Sequence, residues 1–193
     1  MVRGVTIPNL LTVLRFLLVP VVVWAISDGH YILAFAVFVI AGLTDGLDGF
    51  IAKRWNLSSR LGAYIDPLAD KALLVSIFIA LGVAGAIPIW LVAAVVARDA
   101  LILAAVVVSA LMGSTLPIRP LFVSKLNTVA QILLAALVLA DLAFNINLGR
   151  PSAVMVLIVA ALTAASAAAY LVAWLRYMSE RNATETPGED PRP

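Results

Sequence analysis

Four aspartates between positions 45 and 70 are the residues of this chain whose types and spacing point most clearly to chemistry. Asp45 and Asp48 lie three residues apart inside an apolar run, and Asp66 and Asp70 lie four residues apart after a polar turn. Residues three or four apart share one face of a helix, so each pair is expected to point to one side. The turn at 56–62 is expected to make the two helices antiparallel neighbours, so that all four carboxylates can face one cavity.

A divalent cation is the predicted partner of these carboxylates. An aspartate inside a membrane-spanning helix costs about 3 kcal/mol on insertion scales, and four together also repel one another. Mg²⁺ and Mn²⁺ prefer oxygen ligands, and Mg²⁺ keeps coordination positions open for substrate phosphates. Gly42, Gly46 and Gly49 recur along the first of these helices and are expected to let a nucleotide or another helix come close. The pattern therefore predicts metal-dependent phosphotransfer.

The alternative is that the aspartates cap helices or pair with neighbouring cations such as Lys71. Capping would suffice for Asp66, because Pro67 follows it and proline is favoured at the first position of a helix. It does not explain Asp45 and Asp48, which lie inside an apolar run.

The composition predicts an all-α integral membrane protein. The 193 residues are 63% hydrophobic and 12% charged, whereas soluble domains are about half apolar and a quarter charged. A helix needs roughly 20 apolar residues to cross the bilayer. Stretches that qualify as transmembrane helices of one bundle lie at 8–26, 31–52, 66–85, 88–112, 122–145 and 152–178. We therefore expect six transmembrane helices in one domain over 1–178 and a disordered cytoplasmic tail over 179–193.

The distribution of positive charge predicts the orientation. With both termini in the cytoplasm, most lysines and arginines are cytoplasmic and only Arg150 is outside. The aspartate cavity then opens to the cytoplasm, and the predicted location is a bacterial inner membrane. The net charge of +2 and the lack of a basic run with interleaved aromatics argue against nucleic-acid binding.

The segment DGLDGFIAKRWNLSSRLGAYIDPLAD resembles the signature of CDP-alcohol phosphatidyltransferases, D-x2-D-G-x2-A-R-x8-G-x3-D-x3-D. The four aspartates fall in register with it, as do Gly49, Ala52 and Gly62. Lys53 stands where the family has arginine, which keeps the charge but loses the bidentate fork for phosphate. The stretches RPLFVSKLNTVAQILL and LTAASAAAY are similar to CMP-forming cardiolipin synthases of the mitochondrial type.

This resemblance implies transfer of a phosphatidyl group from a CDP-linked lipid to an alcohol, with release of CMP. Asp70 is then the expected general base, and the protein is expected to be a homodimer. The implied metal ligands are Asp45, Asp48, Asp66 and Asp70; the implied nucleotide-binding residues are Asn9, Asp45, Gly49, Ala52, Lys53 and Gly62; and the implied acceptor-binding residues are Arg98 and Lys125.

The acceptor and the class of protein have alternatives. Phosphatidylglycerol is the leading acceptor, and glycerol 3-phosphate, the acceptor of phosphatidylglycerophosphate synthases, is the alternative. A cation transporter also needs intramembrane carboxylates, but its acids would be spread along a path through the bilayer. For Arg98 the alternative to phosphate binding is an ion pair with neighbouring Asp99, and Asp141 has no assigned role.

Overall fold

The computed structural model describes residues 7–55, 62–111 and 122–184, and side chains within them at 14, 16–44, 71–104 and 122–175. Over these residues the protein is all-helical, as predicted. Its helices are α1 (Ile7–Ser27), α2 (Tyr31–Trp55), α3 (Gly62–Val83), α4 (Ile89–Leu111), α5 (Phe122–Phe144) and α6 (Gly149–Thr184).

Two helix boundaries differ from the predicted ones: the start of α3 and the end of α6. α3 begins at Gly62, four residues before Asp66, so Asp66 is not the N-cap that the capping alternative requires. α6 continues to Thr184, into the segment predicted as a disordered tail. The reason is local: neither proline nor glycine occurs between Ser152 and Pro187, and nothing else there stops a helix. Residues 185–193 lie outside the described residues.

Glycines end α1 and α3 and allow the chain to reverse within a few residues. Gly29 and Gly85 have φ of 78° and 74°, the left-handed conformation that residues with a Cβ rarely adopt. After each glycine, an N–H bonds the carbonyl five residues earlier, at 2.7 Å from His30 to Ala25 and 2.9 Å from Ala86. This is the Schellman arrangement, which satisfies carbonyls at a helix end. The short turns hold α2 beside α1 and α4 beside α3.

The helices pack around α1, α3 and α5. α1 packs against α2 and α3, α5 packs against α2 and α6, and α4 packs against α3 and α6. Over the residues with described side chains, α2 and α3 both pack on α1, and the expectation that they are direct neighbours near the turn stays a prediction. The halves of α2 and α3 that carry the aspartates lie outside those residues.

An apolar core forms where the C-terminal halves of α1, α3 and α5 meet the N-terminal halves of α2, α4 and α6. Ile26, Phe78, Leu91, Leu139 and Val159 are its large, fully buried side chains from five different helices. Burial of this kind, with many close contacts per side chain, fixes the relative positions of the helices.

Two helices of the described chain are long and apolar enough to cross a membrane, by length and composition. They are α5 and the Gly149–Leu175 part of α6. Shorter apolar helical stretches span Phe16–Ser27, Tyr31–Thr44 and Lys71–Val83. Large apolar side chains are also well exposed, such as Leu101 at 63% and Leu157 at 65%. Such surfaces are typical of lipid-facing helices, and the six-span arrangement and its orientation stay predictions.

Candidate functional site

The predicted metal ligands lie on two helices joined by a short connection. Asp45 and Asp48 are in the last three turns of α2, and Asp66 and Asp70 are in the first three turns of α3. Their side chains lie outside the described residues. The helices nevertheless carry each pair at the spacing that puts two carboxylates on one helical face.

The predicted nucleotide-binding residues are on the same two helices and on α1. Gly49, Ala52 and Lys53 are in the last turns of α2, and Gly62 is the first residue of α3. Asn9 is in the first turn of α1. Their side chains are also outside the described residues, so their predicted roles stay predictions.

Gly42 does not lie at a close approach of two described helices, and the expected approach of a nucleotide there stays a prediction. A Cβ built on Gly42 would meet nothing within 4 Å, so no described helix requires a glycine there. The glycine that does lie at a close approach is Gly82 on α3, where an added Cβ would come 2.7 Å from Cγ2 of Val92 on α4.

Arg98, a predicted acceptor-binding residue, is buried between α4, α5 and α6. Its side chain is 2% exposed. Its Nε donates to the Ser166 hydroxyl at 3.0 Å, and Nη2 donates to the hydroxyls of Ser124 and Ser166. Nη1 donates to Asp99 Oδ1 at 2.6 Å, so the ion pair considered as the alternative is present. The guanidinium carbon Cζ of Arg98 lies over the Tyr170 ring, 5.8 Å from the ring centroid, in a cation–π contact.

Asp99 links Arg98 to the helix that carries Asp66 and Asp70. Its Oδ2 accepts a bond of 2.7 Å from Lys71 Nζ, and its side chain is only 11% exposed. Lys71 directly follows Asp70 in the sequence. We call Lys71, Arg98, Asp99, Ser124 and Ser166 the Arg98 cluster. It joins α3, α4, α5 and α6 by charge-assisted hydrogen bonds.

Lys125, the other predicted acceptor-binding residue, is exposed near the start of α5. The residue before it, Ser124, accepts a bond from Arg98. The two predicted acceptor-binding residues therefore occur on neighbouring helices at the same end of α5.

Two buried amide side chains on α5 follow Ser124 of the Arg98 cluster, and the sequence interpretation missed them. Asn127 and Gln131 are 0% and 2% exposed. Thr163 on α6 donates to Asn127 Oδ1 at 3.0 Å, whereas Asn127 Nδ2 and Gln131 Nε2 have no partner among the described residues. The available signal was spacing: Ser124, Asn127 and Gln131 recur at intervals of three and four on one face of an otherwise apolar helix.

A cavity of about 350 Å³ opens between α4 and α6 beside the Arg98 cluster. Arg98, Tyr170 and Trp174 are the lining residues whose side chains carry polar atoms. The rest of the wall is apolar and is formed by Leu101, Ile102, Ala104, Ala167, Ala168 and Leu171. A mostly apolar cavity with a few convergent polar groups is typical of ligand sites.

No group of three or more histidine, aspartate or glutamate side chains forms a metal site within the described part of the chain. The side chains of the four signature aspartates are not among the described ones. As a donor set, four carboxylates fit Mg²⁺ or Mn²⁺ by their chemistry, because both ions prefer oxygen ligands.

Asp141, which the sequence interpretation left without a role, has a structural one. Its Oδ1 accepts a 2.9 Å hydrogen bond from the backbone N–H of Leu148, the residue before α6 begins. The bond fixes the connection from α5 to α6, where Asn145 and Asn147 adopt positive φ.

Comparison with known proteins identifies the family. Residues 5–171 match the family model described as CDP-alcohol phosphatidyltransferase. The chain belongs to the CDP-alcohol phosphatidyltransferase family. The match includes all four aspartates and both predicted acceptor-binding residues, so the family resemblance of the signature is confirmed.

Individual members of this family give finer comparisons. The chain is 40% identical over 158 residues to the cardiolipin synthase (CMP-forming) of Rattus norvegicus, and the match covers 72% of this chain and 52% of the rat protein. For the Homo sapiens protein of the same name, identity is 39%, with the same coverage. The chloroplastic CDP-diacylglycerol–glycerol-3-phosphate 3-phosphatidyltransferase 1 of Oryza sativa subsp. japonica is 33% identical over 162 residues, covering 74% of this chain and 49% of that protein. The chain thus spans about half the length of these curated relatives.

Proposed function

We propose that this protein transfers a phosphatidyl group from CDP-diacylglycerol to phosphatidylglycerol, giving cardiolipin and CMP. The observation that carries the proposal is the aspartate signature, spread over the adjoining ends of α2 and α3 in a chain that belongs to the CDP-alcohol phosphatidyltransferase family. The similarity to proteins named cardiolipin synthase (CMP-forming) supports the choice of acceptor.

In this proposal, Asp45, Asp48, Asp66 and Asp70 hold divalent metal, Mg²⁺ or Mn²⁺. Bound metal would neutralise the charge that develops on the pyrophosphate during transfer. The helices contribute preorganised positions for the carboxylates, because residues three or four apart on a helix keep a fixed separation.

The reaction itself is a displacement at phosphorus. The acceptor hydroxyl oxygen forms a bond to the phosphorus of the phosphatidyl group, and the bond from that phosphorus to the bridging oxygen breaks. The electron pair leaves on CMP, and Asp70 takes the proton from the hydroxyl. The proposed nucleotide contacts, which hold the leaving group in line, are Asn9, Asp45, Gly49, Ala52, Lys53 and Gly62.

Arg98 and Lys125 are the proposed acceptor-binding residues. Arg98 suits a phosphate because its planar guanidinium makes directional bonds. Its existing partners support a binding role: serine hydroxyls and one carboxylate position the group without using every N–H donor. Of the two nitrogen atoms at its tip, Nη1 has a single bond among the described residues.

The second candidate is transfer to glycerol 3-phosphate, as in phosphatidylglycerophosphate synthases. The similarity to the Oryza sativa protein favours it, since that protein's name specifies glycerol 3-phosphate. The identity is 33%, against 40% for the rat cardiolipin synthase, so phosphatidylglycerol is the acceptor we propose first. Transport of cations is the proposal of a different class, and family membership disfavours it.

The proposed setting is a bacterial inner membrane. The six helices span it with both termini and the aspartates on the cytoplasmic side, and the active form is a homodimer. Exposed apolar side chains and the distribution of lysine and arginine support the spanning arrangement. The homodimer rests on the family resemblance.

The test is CMP release by the purified full chain. We expect release from CDP-diacylglycerol with phosphatidylglycerol and Mg²⁺ or Mn²⁺, and loss of release when the metal is chelated. Release with glycerol 3-phosphate alone would replace the proposed acceptor with the second candidate. Release that persists after chelation would refute the metal-dependent mechanism.

A matched pair of variants makes this test specific. Asp45→Asn removes a proposed metal ligand and should abolish release. Asp28→Asn changes an exposed aspartate in the turn after α1, where its partner is His30, and should leave release unchanged. Equal loss in both variants would point to general damage rather than to the signature.

A further inference from the structure

We propose that the cavity between α4 and α6 holds an acyl chain of the phosphatidylglycerol acceptor, with the phosphodiester of that lipid at Arg98. This inference rests on the proposed function and deepens it, because it assigns a lipid-binding site to residues that the signature does not contain. The cavity of about 350 Å³ lies in the lower part of the roughly 300–1,000 Å³ range of ligand sites.

The walls of the cavity suit a hydrocarbon chain. Leu101, Ile102, Ala168 and Leu171 contribute apolar surface. A water-soluble acceptor such as glycerol 3-phosphate would need hydrogen-bond partners for its hydroxyls, which these walls do not offer. Burying such hydroxyls without partners is unfavourable, whereas burying a chain of methylenes is not.

The cavity opens towards the surface that would face lipid. Leu101 and Leu171, on opposite sides of the cavity, are 63% and 55% exposed. α6 is one of the helices long and apolar enough to cross a membrane. A chain can therefore enter sideways from the bilayer without crossing a polar surface.

The polar end of the cavity suits a phosphodiester. The bonded groups Lys71, Arg98 and Asp99 carry two positive charges and one negative charge. Their sum is one positive charge, which a singly charged phosphodiester balances. Arg98 Nη1 makes one hydrogen bond among the described residues, and a guanidinium Nη carries two N–H donors. The second donor has no partner among the described residues, and in this proposal it binds a phosphate oxygen.

The position of the cavity fits an acceptor rather than the donor. The proposed nucleotide-binding residues are on α1, α2 and the start of α3, and over the described residues neither α4 nor α6 packs against α1 or α2. The Arg98 cluster, in contrast, reaches α3 at Lys71, the residue after the proposed base Asp70. An acceptor held at Arg98 therefore approaches the aspartates from the α4 side.

The first test maps lipid contacts without using turnover. Full-length protein in nanodiscs is irradiated with phosphatidylglycerol carrying a diazirine at mid-chain, and labelled peptides are identified by mass spectrometry. Diazirine-bearing phosphatidylcholine and CDP-diacylglycerol serve as comparison probes. We expect phosphatidylglycerol to label the walls around Leu101, Ala168 and Leu171 several-fold more than either comparison probe.

The second test fills the cavity from either wall. Ala168→Phe and Ala104→Phe add a ring on α6 and α4, respectively. Ala153→Phe adds the same ring to an exposed position of α6 about four turns before the cavity. Each filled variant should lose the labelling and show about a tenfold higher KM for dioleoyl-phosphatidylglycerol relative to dihexanoyl-phosphatidylglycerol, because fewer methylenes are buried. KM for CDP-diacylglycerol should stay unchanged, as should every parameter of Ala153→Phe.

The outcomes separate this inference from the function on which it rests. Preferential labelling of the cavity by CDP-diacylglycerol, or equal labelling by all three lipids, overturns the acceptor site. The inference is also overturned if both filled variants keep the wild-type ratio of KM for dioleoyl- to dihexanoyl-phosphatidylglycerol and unfold at the native midpoint. If wild-type protein releases no CMP with phosphatidylglycerol, the proposed function fails, and the labelling pattern still decides whether the cavity selects this lipid.

Discussion

The apolar core and Arg98 at the centre of its cluster are both buried between helices, but they hold the molecule together differently. In the core, side chains such as Phe78 and Leu139 touch neighbours through non-directional contacts. In the cluster, Arg98 is fixed by directional bonds to Asp99 and to serine hydroxyls on two other helices.

This difference separates stability from function. A packed apolar side chain can be exchanged for another of similar volume at modest loss of stability, because dispersion contacts are numerous and individually weak. A buried guanidinium requires its partners, because an unpaired buried charge is strongly unfavourable. Changes in the core should therefore alter unfolding without altering kinetics, changes in the cluster should alter both, and changes at the aspartates should alter kinetics.

The largest expected effect is at Asp70, which directly precedes Lys71 on α3. Asp70→Asn should lower CMP release by about 10²–10⁴-fold, the usual contribution of a general base. Binding of CDP-diacylglycerol, measured by equilibrium dialysis of the radiolabelled lipid in detergent, should remain within a factor of a few. Turnover at the wild-type rate would remove Asp70 from the proposed role.

Asp99 provides the next effect, because it bonds both Arg98 and Lys71. Asp99→Ala leaves the buried guanidinium without its carboxylate and should raise the acceptor KM by about tenfold, equivalent to about 1.4 kcal/mol. The donor KM should stay constant, since the proposed nucleotide contacts are on other helices.

Asp141→Ala is the matched control for Asp99→Ala. It removes the bond to the Leu148 N–H at the start of α6 and should lower the unfolding free energy by about 1 kcal/mol, as loss of a capping side chain does. Neither KM should change. A higher acceptor KM in this variant as well would show that stability and acceptor binding are not separable in this bundle.

The close approach of α3 and α4 in the apolar core gives a smaller, purely structural effect. Gly82→Leu places a side chain where even a Cβ lies 2.7 Å from Val92 and should lower the unfolding free energy by about 1–3 kcal/mol. Gly42→Leu, with nothing within 4 Å of the added Cβ, should not. The readout is the thermal unfolding midpoint in detergent, with KM values measured on the folded protein. Altered KM values in Gly82→Leu would contradict the expectation that changes in the apolar core leave kinetics unchanged.

The buried amides of α5 are expected to give the smallest effect. Gln131 Nε2 has no partner among the described residues, so Gln131→Leu should change the unfolding free energy by less than about 1 kcal/mol, in the stabilising direction. Asn127→Leu is the control with the opposite sign, because it removes the acceptor of the Thr163 hydroxyl. Destabilisation of equal size in both variants would show that Gln131 has a partner that the bond pattern does not include.

The sequence by itself determined the helical elements and the family of the chain. Runs of apolar residues predict helices because, in an apolar environment, a helix satisfies its backbone N–H and C=O groups within the same segment. The spacing of Asp45, Asp48, Asp66 and Asp70 depends only on helical periodicity, so the pairing within each helix could be read directly. The apolar runs did not fix the helix ends, since α6 continues into the polar segment after residue 178.

Only the tertiary structure decided which helices meet. It placed α1 against both α2 and α3, and it brought Arg98 to Ser166, 68 residues away. It gave Asp99 a second partner, Lys71, 28 residues away on another helix. The sequence identified the neighbouring Arg98–Asp99 pair, but not these distant contacts or the cavity between α4 and α6. The physical reason is that periodicity defines the face of a helix, whereas the partner of that face depends on how all the helices pack together.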